Sequence, residues 1–335
     1  MTQIEAIFAK LYDQTSLSET ESQVLFDAII KGELEPILLT AALTCLKIKG
    51  ETPNEIAGAA KALLDNANEF PRPDYDFADI VGTGGDGSNT INISTTAAFV
   101  AAACGLKIAK HGNRGVSSKS GSSDLLDSFG INLAMSAEDT RKAVDDLGVA
   151  FLFAPHYHGG VRHAMPIRQT MKTRTIFNIL GPLINPARPN IELMGVYDES
   201  LVRPIAETMV NMGMKRAAVV FGSGLDEVAI HGPTTVAEII DGKISEYTLT
   251  PEDFGLDTHP LEAIKGGEPE ENKAIITDIL TGKGTDAQLG AIAVNVALLM
   301  RLFGHEDLKA NAQKAIDAMN SGKAFELVQQ LAARG

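Results

Sequence analysis

Residues 79–124 read DIVGTGGDGSNTINISTTAAFVAAACGLKIAKHGNRGVSSKSGSSD. An apolar run stops at a glycine-rich turn, and a helix of small residues opens on Asn and Ser/Thr. A second apolar run follows, and a second polar, glycine-rich loop closes the stretch. Strand, turn, helix and strand in that order present backbone N–H groups and hydroxyls to an anion. The expectation is a phosphorylated ligand.

Outward from this stretch the chain keeps alternating. Apolar, strand-like runs at 77–81, 106–109, 149–153, 193–197, 217–221 and 228–230 are mostly separated by helical segments such as 94–104, 137–147 and 201–212. That pattern predicts a largely parallel α/β sheet, with ligands at the carboxyl ends of its strands. Before it the pattern is helical: Ile4, Ile7, Phe8 and Leu11 share a face, and Ser18 to Glu21 forms a capping box. Pro36 opens a helix that ends at Gly50, and Thr52 with Glu55 opens another bearing the small residues Ala57 to Ala60. The prolines of EFPRPDYD end this part, so a small all-helical domain over residues 1–72 and a larger α/β domain over 73–335 are expected. Between 161 and 189 the alternation lapses, and part of 165–190 is expected to return to the helical domain. From Asp286 onward two or three helices are expected.

Composition narrows the chemistry. The 335 residues carry a net charge of −14, yet residues 87–123 and 147–191 contain no Asp or Glu and hold nine Lys/Arg. An acidic body with acid-free basic segments suits a focused pocket for a small anion and argues against a nucleic-acid surface. The start of the chain lacks a basic segment followed by an apolar one, and the apolar run 287–300 is too short to span a bilayer, so a cytoplasmic protein without membrane association is expected. Cys45 and Cys104 are far apart with no metal-type spacing, which suits buried thiols.

GTGGDG formally matches a dinucleotide-binding turn, but that reading needs an acid about twenty residues on. The chain is acid-free there. No Walker A loop is present either. The following NTINIST supplies Thr90, Asn92, Ser94 and Thr95 at a helix start, more polar groups than a cap requires. In the second loop Lys110, Arg114 and Lys119 can pair with phosphate, Ser117, Ser118 and Ser122 can donate, and His111 and Asn113 can face ligand or core. Asp226 and Glu227 are adjacent carboxylates after a strand and a glycine-bearing turn; alone they read as surface acids, beside a polyphosphate they read as a Mg²⁺ site. His156 and His158 have zinc-like spacing, but no nearby Cys or carboxylate completes a ligand set. Arg168 is the candidate for bidentate pairing with a carboxylate.

Together GTGGDGSNTINIST, KHGNRGVSSKSGSSD, APHYHGGVRHAMPIR, FNILGPLINP and GLDEVAIHG resemble, in order and along the whole chain, the motif series of the anthranilate phosphoribosyltransferase family. The first two motifs have partial counterparts in pyrimidine nucleoside phosphorylases, which share the fold, whereas NILGPLINP followed by the LDE motif favours the transferase. The resemblance implies a nucleoside phosphorylase/phosphoribosyltransferase-like fold, a homodimer through the helical domain, and Mg²⁺-dependent chemistry with two ions carried by the substrate. The reaction it implies is transfer of the phosphoribosyl group of 5-phosphoribosyl-1-pyrophosphate (PRPP) to anthranilate, with release of pyrophosphate, in tryptophan biosynthesis.

Carried over by position, Gly82, Gly85, Asp86, Thr90, Asn92, Ser94, Thr95, Lys110 and Ser122 match PRPP-lining positions, joined in the second loop by Asn113, Arg114, Ser117 and Ser118. Gly82, Asn113 and Arg168 match anthranilate contacts, with His111 and His158 nearby, and Ser94, Asp226 and Glu227 match magnesium positions. No side chain reads as a general base, so catalysis is expected to rest on positioning and on Mg²⁺. A nucleoside phosphorylase and a noncatalytic binding protein are the rival readings. Association with a glutamine amidotransferase partner is left open by the sequence.

Overall fold

The computed structural model describes residues 2–114 and 120–334. Four helices come first: α1 (Gln3–Tyr12), α2 (Glu19–Ile30), α3 (Pro36–Lys49) and α4 (Pro53–Asp65). Ser18 with Glu21 and Thr52 with Glu55 form reciprocal capping boxes, and Pro36 and Pro53 occupy first turns. The small residues of α4 have a packing reason. A Cβ on Gly58 would lie 2.1 Å from the Glu19 carbonyl oxygen, so only glycine lets α2 and α4 approach this closely.

The α/β part then runs β1 (Ala78–Gly82), α5 (Ile93–Ala103), β2 (Ile108–Gly112), α6 (Ser122–Ser128), α7 (Ala137–Leu147) and β3 (Val149–Phe153). The excursion that follows contains α8 (Ala154–Tyr157), α9 (Met165–Met171) and α10 (Phe177–Leu183). The chain returns as β4 (Ile191–Gly195), α11 (Val202–Asn211) and β5 (Arg216–Phe221), then β6 (Thr234–Ile240) and β7 (Lys243–Leu249). It closes with α12 (Pro269–Leu280), α13 (Asp286–Leu302), α14 (Leu308–Asn320) and α15 (Lys323–Ala332).

One seven-stranded sheet has the order β3-β2-β1-β4-β5-β6-β7. The first five strands are parallel, and β6 and β7 add an antiparallel edge. The order reverses about β1, which has β2 on one side and β4 on the other. The carboxyl ends of β1 and β4 therefore form the switch-point crevice where such sheets bind ligands.

Side chains alternate between two cores. Ile80, Ile108 and Leu193 face α5 and α13, whereas Met194, Val219 and Ile239 face α11 and share a continuous core with Ile56 and Leu63 of α4. Ile176, Phe177 and Leu180 of the excursion enter this second core, where the Phe177 ring stands 5.8 Å from that of Phe26.

Two expectations are corrected. Residues 228–230 form no strand; their backbone is served by side chains, Asn295 accepting from Val228 N–H and Thr234 Oγ1 from Ala229 N–H, both at 2.9 Å. The edge hairpin β6–β7 was not expected, although its turn residues Asp241 (φ 50°) and Gly242 (φ 76°) form the DG pair that two-residue hairpins favour. The tail carries three helices after Asp286, and α12 is additional.

Candidate active site

β1 ends at Gly82, and the glycine-rich loop passes over the end of β4: Thr83 N–H donates to the Gly195 carbonyl at 3.0 Å. The segment bearing Asp226 lies directly on these strand ends. A Cβ on Gly82 would come within 2.1 Å of Asp226 Oδ2, and one on Gly195 within 1.6 Å of the Asp226 carbonyl oxygen. Both glycines are required by this close approach, and Gly84 N–H then donates to Asp226 Oδ2 at 2.6 Å. Glu227 reaches the first turn of α5, where Oε1 accepts from Ser94 N–H at 3.2 Å. The turn is anchored from below by Asn295, fully buried in α13, which bonds both the N–H and the carbonyl of Val228.

Lys110 completes the group. It is 2% exposed, and its Nζ donates to the Ile80 carbonyl and to Ser94 Oγ at 3.5 Å. Asp86 turns back on Ser88, accepting from its N–H at 3.0 Å and its hydroxyl at 2.7 Å, close enough to Asp226 to act on it. Asp226 and Glu227, together with the buried Asp79, thus act on one ammonium, that of Lys110, in a desolvated site. Burial first, then the charge of Asp86, pushes Asp226 up to about 7. Burial and the charge of Asp226 push Glu227 up to about 8. Burial also draws Lys110 downward.

Such a site lacks positive charge, and its oxygen donors, Ser94, Asp226 and Glu227, are of the hard type that Mg²⁺ takes. Among the described residues no group of three or more His, Cys, Asp or Glu side chains is disposed to hold an ion by itself.

Asn92 caps α5 without a side-chain cap bond; its amide instead donates to the Ser120 carbonyl at 3.0 Å, linking the two loops. Thr90 pairs with Lys265 in an isolated antiparallel bridge. Thr95 is buried in the first turn of α5. Ser122 opens α6, whose first turn is capped by Asp124 accepting from Gly121 N–H at 2.9 Å. The Arg114 guanidinium pairs with Asp124 at 3.1 Å. Asn113 is exposed, and its Oδ1 accepts from Arg114 N–H at 2.8 Å. Ser117, Ser118 and Lys119 lie outside the described residues.

His111 and His158 are buried edge to face with centroids 5.3 Å apart. His158 Nε2 bonds the Ile184 carbonyl at 2.8 Å, while His111 N–H is held by the buried Asp79 carboxylate. Burial, reinforced by His158, drives His111 down to about 3, so the ring is neutral. Its Nε2 has no protein partner among the described residues. Arg168 on α9 packs its guanidinium over Phe177, 5.1 Å from the centroid, with Nη1 3.6 Å from Met165 Sδ. Its bonds are with α9 and α10 rather than with either loop, and burial alone lowers its pKa.

Several participants escape sequence reasoning. Arg174 donates to the Gly85 carbonyl and stacks on Tyr197 at 3.9 Å, while its own carbonyl accepts from Lys47 Nζ of α3 at 2.9 Å. Asn185, within the quoted NILGPLINP, donates to Asp79 and to the Ala109 carbonyl, each at 2.8 Å. Residues 264–267 brace the first loop: Ile91 N–H donates to the Ile264 carbonyl, Gly266 N–H to the Asn89 carbonyl, and Lys265 Nζ to the Ser88 carbonyl. The glycine pair of IKGGEPEEN is the one visible signal for this brace.

Residues 5–67 match the helical bundle domain of a glycosyl transferase family, and residues 74–325 match the α/β domain of a glycosyl transferase family. An anthranilate phosphoribosyltransferase of Vibrio parahaemolyticus is 87% identical over 330 residues, covering 98% of this chain and 99% of the relative. The chain belongs to the anthranilate phosphoribosyltransferase family. A more distant anthranilate phosphoribosyltransferase, from Pectobacterium atrosepticum, is 64% identical over 99% of this chain and 94% of its own length. The crystal structure of the Thermus thermophilus anthranilate phosphoribosyltransferase superposes with a TM-score of 0.94 at 38% identity, covering 100% of this chain and 99% of that one. The Saccharomyces cerevisiae anthranilate phosphoribosyltransferase, solved in complex with PRPP and Mg, has a TM-score of 0.90 at 32% identity, covering 99% and 97%.

Proposed function

We propose that the chain transfers the phosphoribosyl group of PRPP to the amine of anthranilate, giving N-(5-phosphoribosyl)anthranilate and pyrophosphate, as a step of tryptophan biosynthesis. The observation that carries this reading is the seating of Asp226 and Glu227 across the glycine loop and the first turn of α5, at the switch point of the sheet. The same family relationship supports cytoplasmic action, and no helix among the described residues is long and apolar enough to cross a membrane.

The anthranilate nitrogen forms a bond to C1 of the ribose as the C1–O bond to pyrophosphate breaks, and the amine proton is released to solvent. An aromatic amine is a competent nucleophile, so the neutral His111 and His158 position rather than activate it. The cleaving bond leaves positive charge on the sugar and negative charge on the pyrophosphate. Lys110, the N–H groups opening α5 and the Gly82–Asp86 loop meet that negative charge in a desolvated site, where such interactions are strongest. Mg²⁺, when bound by Ser94, Asp226 and Glu227, supplies charge neutralisation of the leaving group. The surplus of carboxylates supports two ions. Arg168, which pairs with no carboxylate among the described residues, is the partner for the anthranilate carboxylate. Asn113, Gly82, His111 and His158 complete that subsite, and Thr90, Asn92, Thr95, Ser122 and the second loop complete the PRPP subsite.

A homodimer through the helical domain is part of the same reading. Tyr12, Ile37 and Ile48 on α1 and α3 are 58%, 84% and 70% exposed, an apolar surface that a second copy would cover. The division into helical residues 1–72, with part of 165–190 packed onto them, and α/β residues 73–335 is supported by the shared core around Phe26 and Phe177.

The deciding experiment incubates the protein with anthranilate, PRPP and Mg²⁺ and follows loss of anthranilate fluorescence together with pyrophosphate release. Phosphate-dependent cleavage of a pyrimidine nucleoside, with no anthranilate consumed, would replace this reading by the phosphorylase.

A further inference from the structure

Asn272 on α12 is 1% exposed and lies 180 residues from Asn92, yet the two amides are bonded. Gly267 N–H donates to Asn272 Oδ1 at 2.7 Å, and Asn272 Nδ2 donates to Asn92 Oδ1 at 3.0 Å. Asn92 Nδ2 in turn donates to the Ser120 carbonyl at 3.0 Å. The chain has a backbone donor at one end and a backbone acceptor at the other. A backbone N–H can only donate and a carbonyl only accept, so both amides are held in one orientation.

We propose that Asn272 is a positioning residue for the phosphoribosyl subsite, holding the Asn92 amide so that it offers its remaining N–H to an anionic oxygen of the ligand. This rests on the reading that Asn92 contacts PRPP. Ser120 holds the other side of the same amide, its carbonyl accepting from Nδ2 at 3.0 Å and its hydroxyl donating to Oδ1 at 3.5 Å. Replacing the short Asn272 donor by an acceptor sets two oxygens against each other and pushes the Asn92 amide out of the position in which its remaining N–H meets the anion. The brace formed by residues 264–267 serves the same end: it seats the start of α12 against the loop whose last residue is Asn92.

The test is a double-mutant cycle read in KM for each substrate. Asn272→Asp keeps the acceptor for Gly267 and replaces the donor facing Asn92 by an acceptor. A lost hydrogen bond to a charged group is worth about a factor of ten or more in binding. Asn92→Ala and Asn272→Asp should each raise the PRPP KM about tenfold and leave the anthranilate KM within about twofold. In the Asn92→Ala background Asn272→Asp should add less than about twofold, because the group it orients is gone. An unchanged PRPP KM in Asn272→Asp, or the same increment in both backgrounds, overturns the proposal. Asn92→Ala with an unchanged PRPP KM instead removes the underlying contact, which separates the two failures. Should Asn272→Asp not fold, the cycle with Asn272→Ala decides by the same criteria.

Discussion

Gly84 donates its backbone N–H to Asp226 Oδ2 at 2.6 Å across 142 residues of sequence, and this bond ties the glycine loop to the carboxylate pair. Asp226→Asn keeps an oxygen for Gly84 and removes the charge. The expected result is a folded protein whose kcat falls by about 100-fold at saturating PRPP, the scale of losing one preorganised electrostatic group. Mg²⁺ titration of the variant should show a weakened midpoint; an unaltered one would mean that Asp226 holds no metal.

Gly82→Ala introduces a methyl group 2.1 Å from Asp226 Oδ2 and 2.8 Å from Cγ. Overpacking of this kind costs about 1–3 kcal/mol. Chemical denaturation should register that loss, and Mg²⁺ binding should weaken with it, since the displaced atom is a proposed metal ligand.

Arg168 is partly buried and pairs with no carboxylate among the described residues. Arg168→Ala should raise the anthranilate KM by about 10–100-fold, the range for a charged hydrogen-bonded contact, with the PRPP KM held. Arg168→Lys keeps charge without the planar fork and should recover only part of the loss. An equal rise in both constants would place Arg168 outside the aromatic-acid subsite.

Asp79, Asp226 and Glu227 are raised to about 6, 7 and 8 by burial. Each retains a proton in the metal-free native state that the unfolded chain has released above about pH 4. The native state therefore binds more protons, and this contribution to stability falls as pH rises from about 4 through 8. Thermal melts in chelator should show Tm declining toward pH 8 from this cause. The rise in Tm on adding Mg²⁺ should grow over the same range, because the ion and the protons compete. A Mg²⁺ effect independent of pH would contradict the assignment.

Ile37 and Ile48 lie at opposite ends of α3 and are the most exposed large apolar side chains described. Ile37→Glu and Ile48→Glu together should convert a dimer into a monomer in sedimentation velocity, with the isolated fold retained by circular dichroism. A wild-type monomer would remove the dimer from the proposal.

Much of this site is legible in the sequence because its largest elements are contiguous. GTGGDG and NTINIST sit where a strand meets a helix, and Asp226 with Glu227 follow another strand. What is hidden depends on partners far apart in the chain. Arg174 meets Gly85 across 89 residues and Asn272 meets Asn92 across 180, and neither has a local pattern to announce it. The ion pair of Arg114 is also hidden when the acid-free segment is read as a unit. Its partner, Asp124, stands one residue beyond that segment and folds back onto it. The strand expected at 228–230 failed for a related reason: an apolar run is equally suited to a buried turn when a side chain such as Asn295 supplies the ladder's hydrogen bonds.

The two glycines at the ends of β1 and β4 form a notch filled by the backbone and carboxylate of Asp226. Any side chain at either position evicts the acidic arm, so mutation there cannot tune the pocket gradually. On the proposed reading, variation that admits a different nucleophile therefore falls to the loop after β2 and the α9 face around Arg168. The floor of the crevice is left with one tolerated shape.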